Sequence, residues 1–371
     1  MTPGDGAQPA GPGLRLRLAR QARGFSQQQL AGMAGVTRQA VSAVESGHSD
    51  PSLRVALALA RALGMTVEDL FGPGAAPATV TAGAVAPLGG AGARVTLAPM
   101  GERFVALPLA GDTAARAGFL PAGGLVVAEP GEVQPIAPPR PALVVAGCDP
   151  ALPLLERPLA LLDPPVGLSW WSCSSGEALR LAGAGLVHVA GAHLLGESGE
   201  YNTGPAAARL GGRAEVVGFS SWREGLVLRP GLAAEVTGLA GLARQGRRLV
   251  NREEGSEARR VLDREAARLG LDPLTIDGYR THATGHLPVA SAVAAGLADA
   301  GIASEPAARA YGLDFLPLAA ERFDLVIPAA QAGSREVQAL LKVLASPWLL
   351  SQLASLPGYD PATCGEHIAS L

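Results

Sequence analysis

Aromatic residues, lysine and cysteine are all scarce in this chain. Aromatics make up 4% of the 371 residues, Lys342 is the one lysine among 30 basic residues, and there are three cysteines. Cys148, Cys173 and Cys364 are odd in number and have no metal-like spacing, so neither a disulfide framework nor a zinc site is indicated. No run of about 18 apolar residues is present to span a bilayer. The opening residues, MTPGDGAQPAGPG, carry neither a basic n-region nor an apolar h-region. A cytoplasmic location with no membrane partner is the expectation, and residues 1–13 read as a disordered tail. There is no Ser-His-Asp order, paired-carboxylate pattern or phosphate-binding P-loop, so an enzyme is not expected. A net charge of −3 rules out a globally basic coat for nucleic acid.

What is present is unevenly placed. Residues 14–72 carry seven arginines (15, 17, 20, 23, 38, 54 and 61) against Glu45, Asp50, Glu68 and Asp69, a net +3 on an otherwise acidic body. Such a chain meets phosphate with one end. Within that end, Ser26–Gly47 reads as a helix, a tight turn and a second helix. Ser26 is placed to cap the first, with Gln29 completing a capping box, and Gly35 supplies the left-handed turn. Thr37 caps the second helix. Ala40, Val41 and Val44 face inward and leave Thr37, Arg38, Gln39 and Ser42 outward at its start, where a recognition helix reaches base edges. The stretch resembles the DNA-binding domain of the Cro and phage-repressor (XRE) class, on SQxxLA at Ser26–Ala31, GV(S/T) at Gly35–Thr37 and ExG at Glu45–Gly47. The resemblance implies double-stranded DNA as partner, a homodimer, Gln27 and Gln28 as further DNA contacts, and Arg15 and Arg20 on phosphate. Around the pair, Leu14, Leu18 and Ala22 give a first helix with its arginines outward. Leu53, Leu57, Ala60 and Leu63 give a fourth, and Thr66 begins a fifth ending near Phe71.

Residues 73–139 read as a linker followed by a small β unit between about 93 and 137, where short apolar runs alternate with Gly and Pro. From Arg140 apolar strand-like runs feed helices, the pattern of an α/β domain. Two strand-to-helix junctions gather hydroxyls at a helix start, Ser172–Gly176 and Asn251–Arg259. Each is either an anion site or an ordinary N-cap. Two histidines, His193 and His286, lack i, i+4 spacing and stand either as structural or ligand-orienting groups or as metal or acid–base residues. Asn202, within Glu200-Tyr201-Asn202, fits a lobe-edge contact or a surface turn.

The order of elements over 140–371 resembles a bilobal periplasmic-binding protein, specifically the molybdate-binding proteins and similar domains fused to helix-turn-helix regulators. The resemblance rests on GCDPAL at 147–152, SSGEALRLAGAG at 174–185, GAHLL and GEYN within 191–202, REGLVLRPG at 223–231, VNREEGSEAR at 250–259 and HLPVASAVAAGLADAGIA at 286–303. It implies ligand contacts from Ser174 or Ser175 and Cys148 or Asp149 in the first lobe, and from Ser256, Arg259, the surroundings of His286, and Ser304 in the second. Glu257 and Ala258 stand where relatives have Gly and Thr, which sets a carboxylate near the implied anion. EVVGFSSWREGLVL and DFLPLAAERFDLVIP read as hinge strands, giving lobe I as 140–218 and 316–371 and lobe II as 219–315. The expected fold is multidomain: five helices of helix-turn-helix type, a β-rich connector, and an α/β bilobal domain of the type II periplasmic-binding-protein kind. The expected function is a one-component transcription regulator with no resident cofactor or metal. Its effector would be molybdate or tungstate. A small organic metabolite in the same cleft is the alternative within that class, and a cleft enzyme or a binding protein without regulatory role are alternatives outside it.

Overall fold

The structure, a computed structural model, describes residues 12–71, 78–111, 113–114, 118–127, 131–196, 199–211 and 213–371. It divides into two compact units, Met1–Thr79 and Val80–Leu371. Nearly all of the expected tail, and linker residues 72–77, lie outside the described residues.

The first unit contains α1 (Pro12–Ala22), α2 (Gln27–Ala34), α3 (Arg38–Glu45), α4 (Leu53–Leu63) and α5 (Val67–Phe71). Local chemistry sets these limits. Ser26 Oγ accepts the Gln29 amide at 3.2 Å while Gln29 Oε1 accepts the Ser26 amide at 2.8 Å, so the capping box is formed in both directions. Gly35 ends α2 at φ 63°, and Thr37 Oγ1 caps α3 through the Ala40 amide at 3.1 Å. Leu16, Leu30, Val41, Val44, Leu59, Leu63 and Leu70 make the core. Two expected stripes are corrected. On α1 Leu16 is buried while Leu14 and Leu18 are exposed, because the inward face also carries Arg20. On α4 the buried set is Ala56, Leu59, Ala60 and Leu63, with Leu53 72% exposed and Leu57 also outward. The sequence LRVALALARAL is apolar around most of its circumference, so periodicity admits two faces and packing against α2 selects one.

The second unit begins with a closed barrel in the order β1-β3-β2-β4-β5, formed by Val80–Ala84, Arg94–Met100, Arg103–Pro108, Gly124–Val126 and Glu132–Pro135. Strand β1 lies in the stretch read as linker. It closes the barrel by pairing parallel with β3 and antiparallel with β5.

Beyond the barrel, the first lobe places β6 (Ala142–Ala146), β7 (Gly167–Trp171) and β8 (Val189–Ala192) in a parallel sheet. Helices α6 (Glu156–Ala160), α7 (Ser175–Gly183) and α8 (Thr203–Leu210) accompany them. The 15-residue strand β9 (Ala214–Leu228) then crosses to the second lobe, which comprises α9 (Gly238–Arg244), β10 (Leu249–Arg252), α10 (Glu257–Arg268), β11 (His282–Ala283), α11 (His286–Ala294), β12 (Ala300–Ser304) and α12 (Glu305–Ala310). Strand β13 (Asp314–Pro328) returns antiparallel to β9, followed by α13 (Ala329–Ala332), α14 (Arg335–Leu344), α15 (Pro347–Ser355) and β14 (His367–Ser370). The crossing pair is bulged at Pro317/Ala319 and at Phe323/Asp324, on either side of the segment that joins the lobes. Bulges of this kind bend a strand and re-aim its side chains. Apolar clusters cover both faces of the sheet in each lobe. Among the described residues no single helix is long and apolar enough to cross a membrane.

Candidate functional site

In both lobes the parallel strands point their carboxyl ends at the opposing lobe, the position at which open α/β sheets hold ligands. From lobe I come Cys148, two residues past β6, Ser174 and Ser175 at the start of α7, and His193, directly after β8. From lobe II come Arg252 at the end of β10, His286 at the start of α11 and Ser304 at the end of β12. The crossing strands add Trp222, Glu224 and Glu321.

The lobes are closed on one another. The His193 and His286 rings are 5.8 Å apart across the cleft, and Trp222 lies within 5.5 and 5.9 Å of them. Cys148 Sγ is 3.2 Å from His193 Nε2, and His193 Nδ1 is 2.9 Å from Glu321 Oε2. On the other side, His286 Nδ1 receives Arg252 Nη1 at 2.9 Å and the Ser304 amide at 3.2 Å, with Glu224 Oε1 at 3.7 Å. Because both neighbours of Nδ1 are donors, Nδ1 accepts and Nε2 carries the ring proton. Cys148, His193, His286, Glu224, Glu321, Arg252 and Ser304 are all buried. His286 Nε2, Glu224 Oε1, Glu321 Oε1 and Ser304 Oγ have no hydrogen-bond partner. Buried polar atoms are ordinarily paired, so four unpaired atoms around one centre mark a place built for something further.

Burial alone would lower the pKa of His193, but the adjoining Cys148 and Glu321 outweigh it and hold the imidazole well above its usual range. His286 moves the other way. Burial, the Arg252 guanidinium and His193 all push it well below the usual range, so it is neutral. Burial raises Glu224 to about 8, reinforced by Glu321 and opposed by His193, Arg252 and the Trp222 indole. Cys173 is also raised well above its usual range, by burial first and then by Cys148, and the helix start does not make it a thiolate.

The remaining expected ligand contacts separate into two groups. Ser174 Oγ accepts the Glu177 amide and Ser175 Oγ accepts the His193 amide, which leaves their protons unused. Ser174 also borders a cavity of about 260 Å³ at the cleft mouth, together with Glu177, Glu253 and Thr284. Four residues have their side chains engaged within the fold. Asp149 accepts from the Ala151 amide, Ser220 and Tyr359. Asn202, at φ 67°, receives the Leu194 amide and donates to Asp324. Ser256 gives its proton to Glu253 O while capping α10, and has none for an anion. Arg259 stacks on Tyr279 at 4.9 Å and donates to Arg252 O. Arg252, Glu253, Glu224 and Glu321 were not anticipated as site residues. Their signal is charge inside otherwise apolar strands, in RRLVNRE, SSWREG and LAAERF.

In the first unit Thr37, Arg38, Gln39 and Gln28 are exposed, and Ser42 and Arg15 are part-exposed. Arg20 and Gln27 are engaged within the domain. Arg20 forms a bidentate pair with Glu45 at 2.6 and 3.0 Å and donates to Phe25 O, and Gln27 Nε2 donates to Glu45 at 2.9 Å. These contacts tie α1 and α2 to the recognition helix α3.

The two units therefore define a class: a helix-turn-helix domain followed by a bilobal binding domain. The PBP superfamily domain profile matches residues 157–345, just over half the chain, and the helix-turn-helix profile matches residues 16–70. The chain belongs to the PBP superfamily domain family and carries an N-terminal helix-turn-helix of the XRE type. Uncharacterized protein YvgK of Bacillus subtilis (strain 168) is 30% identical over 243 residues, covering 64% of this chain and 78% of its own. The restriction-modification controller protein C.AhdI from Aeromonas hydrophila is 43% identical over 16% of this chain and 91% of its own, with a TM-score of 0.16. The tungstate-binding protein TupA from Desulfovibrio alaskensis G20 is 14% identical over 60% of this chain and all of its own, with a TM-score of 0.42.

Proposed function

We propose that this protein is a one-component transcription regulator, in which α3 reads an operator and the two lobes hold a small effector. The observation that carries the reading is the pairing of an exposed recognition face, Thr37 to Gln39, with a closed cleft whose centre holds four unpartnered buried polar atoms. A homodimer fits this reading, since α4 turns Leu53 and Leu57, one helical turn apart, to the surface. A cytoplasmic location follows from a DNA target.

The effector class we propose is an oxyanion of the molybdate or tungstate type at the cleft mouth. Support comes from Ser174 at the start of α7, which borders the cavity there and whose hydroxyl proton has no acceptor among the described residues, where a helix N-terminus favours negative charge. Glu177 and Glu253, which also line that cavity, are paired with Arg180 and Arg252. Duplexes selected by the protein from a random pool, titrated by fluorescence anisotropy with and without molybdate, tungstate, sulfate or phosphate, test the proposal. An affinity change with one oxyanion and loss of that change in Ser174→Ala/Ser175→Ala is expected. No change with any of them removes the oxyanion and leaves the organic metabolite.

A further inference from the structure

The cleft centre, which the oxyanion reading does not use, combines a thiol with two imidazoles. Cys148, His193 and His286 each present one ligating atom, and these atoms all lie within 4.8 Å of one another. The Cys148 Sγ to His193 Nε2 edge is 3.2 Å. Bonds of about 2.0–2.3 Å to nitrogen and sulfur in a tetrahedral site give edges of roughly 3.3–3.7 Å, close to the observed 3.2 Å edge and inside the 4.8 Å limit on the others.

His193 also carries the support that metal-ligating histidines have, and His286 has a carboxylate in reach. Each ring has its Nδ1 beside a carboxylate from a crossing strand: His193 beside Glu321 at 2.9 Å, and His286 beside Glu224 at 3.7 Å. A carboxylate on the outer nitrogen orients the ring and raises its basicity toward a metal. The inner nitrogen of His286 has no partner, and one oxygen of each carboxylate is likewise unpaired. An added cation gives the His286 nitrogen a partner and offsets the charge of both carboxylates, whereas an anion would leave both carboxylate oxygens unmet. The donor set fixes the kind of cation. A thiolate with two imidazoles suits zinc or copper, and the hard cations magnesium and calcium take oxygen ligands instead.

We propose that Cys148, His193 and His286 form a three-ligand site for a thiophilic transition-metal ion of the zinc type, closed by the two lobes and buttressed by Glu321 and Glu224. In the metal-bound state the His286 ring proton moves from Nε2 to Nδ1, where Arg252 and the Ser304 amide, both now donating to Nδ1, give way to Glu224 as acceptor, and the proton shared by Cys148 Sγ and His193 Nε2 is released to solvent. Three protein ligands leave the fourth tetrahedral position to water or a small molecule.

The test uses the full chain, stripped with chelator and dialysed to equilibrium against cobalt(II), a coloured probe for zinc-type sites. One cobalt per chain is expected, with a thiolate-to-metal charge-transfer band and tetrahedral visible bands, all displaced by zinc. Cys148→Ser should abolish the charge-transfer band, while Cys173→Ser and Cys364→Ser keep it. Glu321→Gln should keep the band and weaken metal affinity about 10–100-fold. A folded wild-type chain that takes up no cobalt, or a band that survives Cys148→Ser, overturns the site. The readout needs neither DNA nor oxyanion, so its failure and the failure of the regulator reading are seen separately.

Discussion

Replacing Arg20 by alanine separates two roles for an arginine at the DNA-binding end. A phosphate contact would leave stability unchanged and flatten the salt dependence of DNA binding. The structure instead engages Arg20 fully within the domain: Nε and Nη2 hold Glu45, whose side chain is 0% exposed, and Nη1 holds Phe25 O. Without Arg20, Glu45 keeps only Gln27 at 2.9 Å and Arg17 at 3.8 Å, so a buried carboxylate is left largely uncompensated. Breaking such a pair costs about 3–5 kcal/mol, a large part of the roughly 5–15 kcal/mol that holds a domain together. The sign also shows in pH. Burial pushes the Glu45 carboxyl up, but Arg20, Gln27 and Arg17 outweigh it, so the folded pKa lies below the unfolded one. Its stabilisation is therefore present above the unfolded pKa and lost as pH falls through the folded value. Arg20→Ala removes the first of the groups that lower it, so this acid-linked part of the stability shrinks. All four tryptophans lie at 170 or beyond, so far-UV circular dichroism should show an early helical transition that tryptophan fluorescence does not follow. A near-normal transition with a flattened salt slope would refute the structural role.

Three further outcomes follow from the same geometry. Arg38→Ala or Gln39→Ala should relax base preference at one operator position by about 1–3 kcal/mol, measured by anisotropy on single-base variants of the selected duplex; unchanged selectivity would remove α3 as the reader. Ser256→Ala should lower stability of the bilobal unit by about 1 kcal/mol through loss of the α10 cap, seen by tryptophan fluorescence in denaturant, while oxyanion binding stays unchanged. Gly191→Ala places a Cβ inside contact distance of the Phe323 ring, which packs on Trp222 at 5.5 Å. Overpacking there should cost about 1–3 kcal/mol in thermal unfolding, and an unaffected midpoint would contradict the tight packing behind His193.

The helix-turn-helix was legible because each of its signals is local. Ser26, Gln29, Gly35 and Thr37 act within three residues of themselves, and all four do in space what their spacing implies. The long crossing strands were legible as apolar runs of the right length. Strand β1 was not, since its five residues acquire strand character only by closing a barrel with β3 and β5. The inward arginine at 20 was hidden for a related reason: its partner Glu45 is 25 positions away. The cleft centre needed the fold itself. Cys148, His193, His286 and Glu321 span more than 170 residues and meet only where two lobes and two crossing strands close. The hydroxyl clusters at Ser174 and Ser256 pointed to helix starts correctly, but a sequence does not show that the Ser256 proton goes to Glu253 O.

In the proposed regulator, what binds between the lobes changes what the recognition helix does. The direct measurement is the affinity of the intact protein for its selected duplex, alone and with each saturating effector, repeated in reverse as effector affinity with and without duplex. Linkage requires the same factor in both directions, and a coupling of about 1–3 kcal/mol corresponds to roughly 5–150-fold. Such a factor, equal both ways, is expected for at least one ligand of the cleft. Equal duplex affinities under every ligand that demonstrably binds would contradict it.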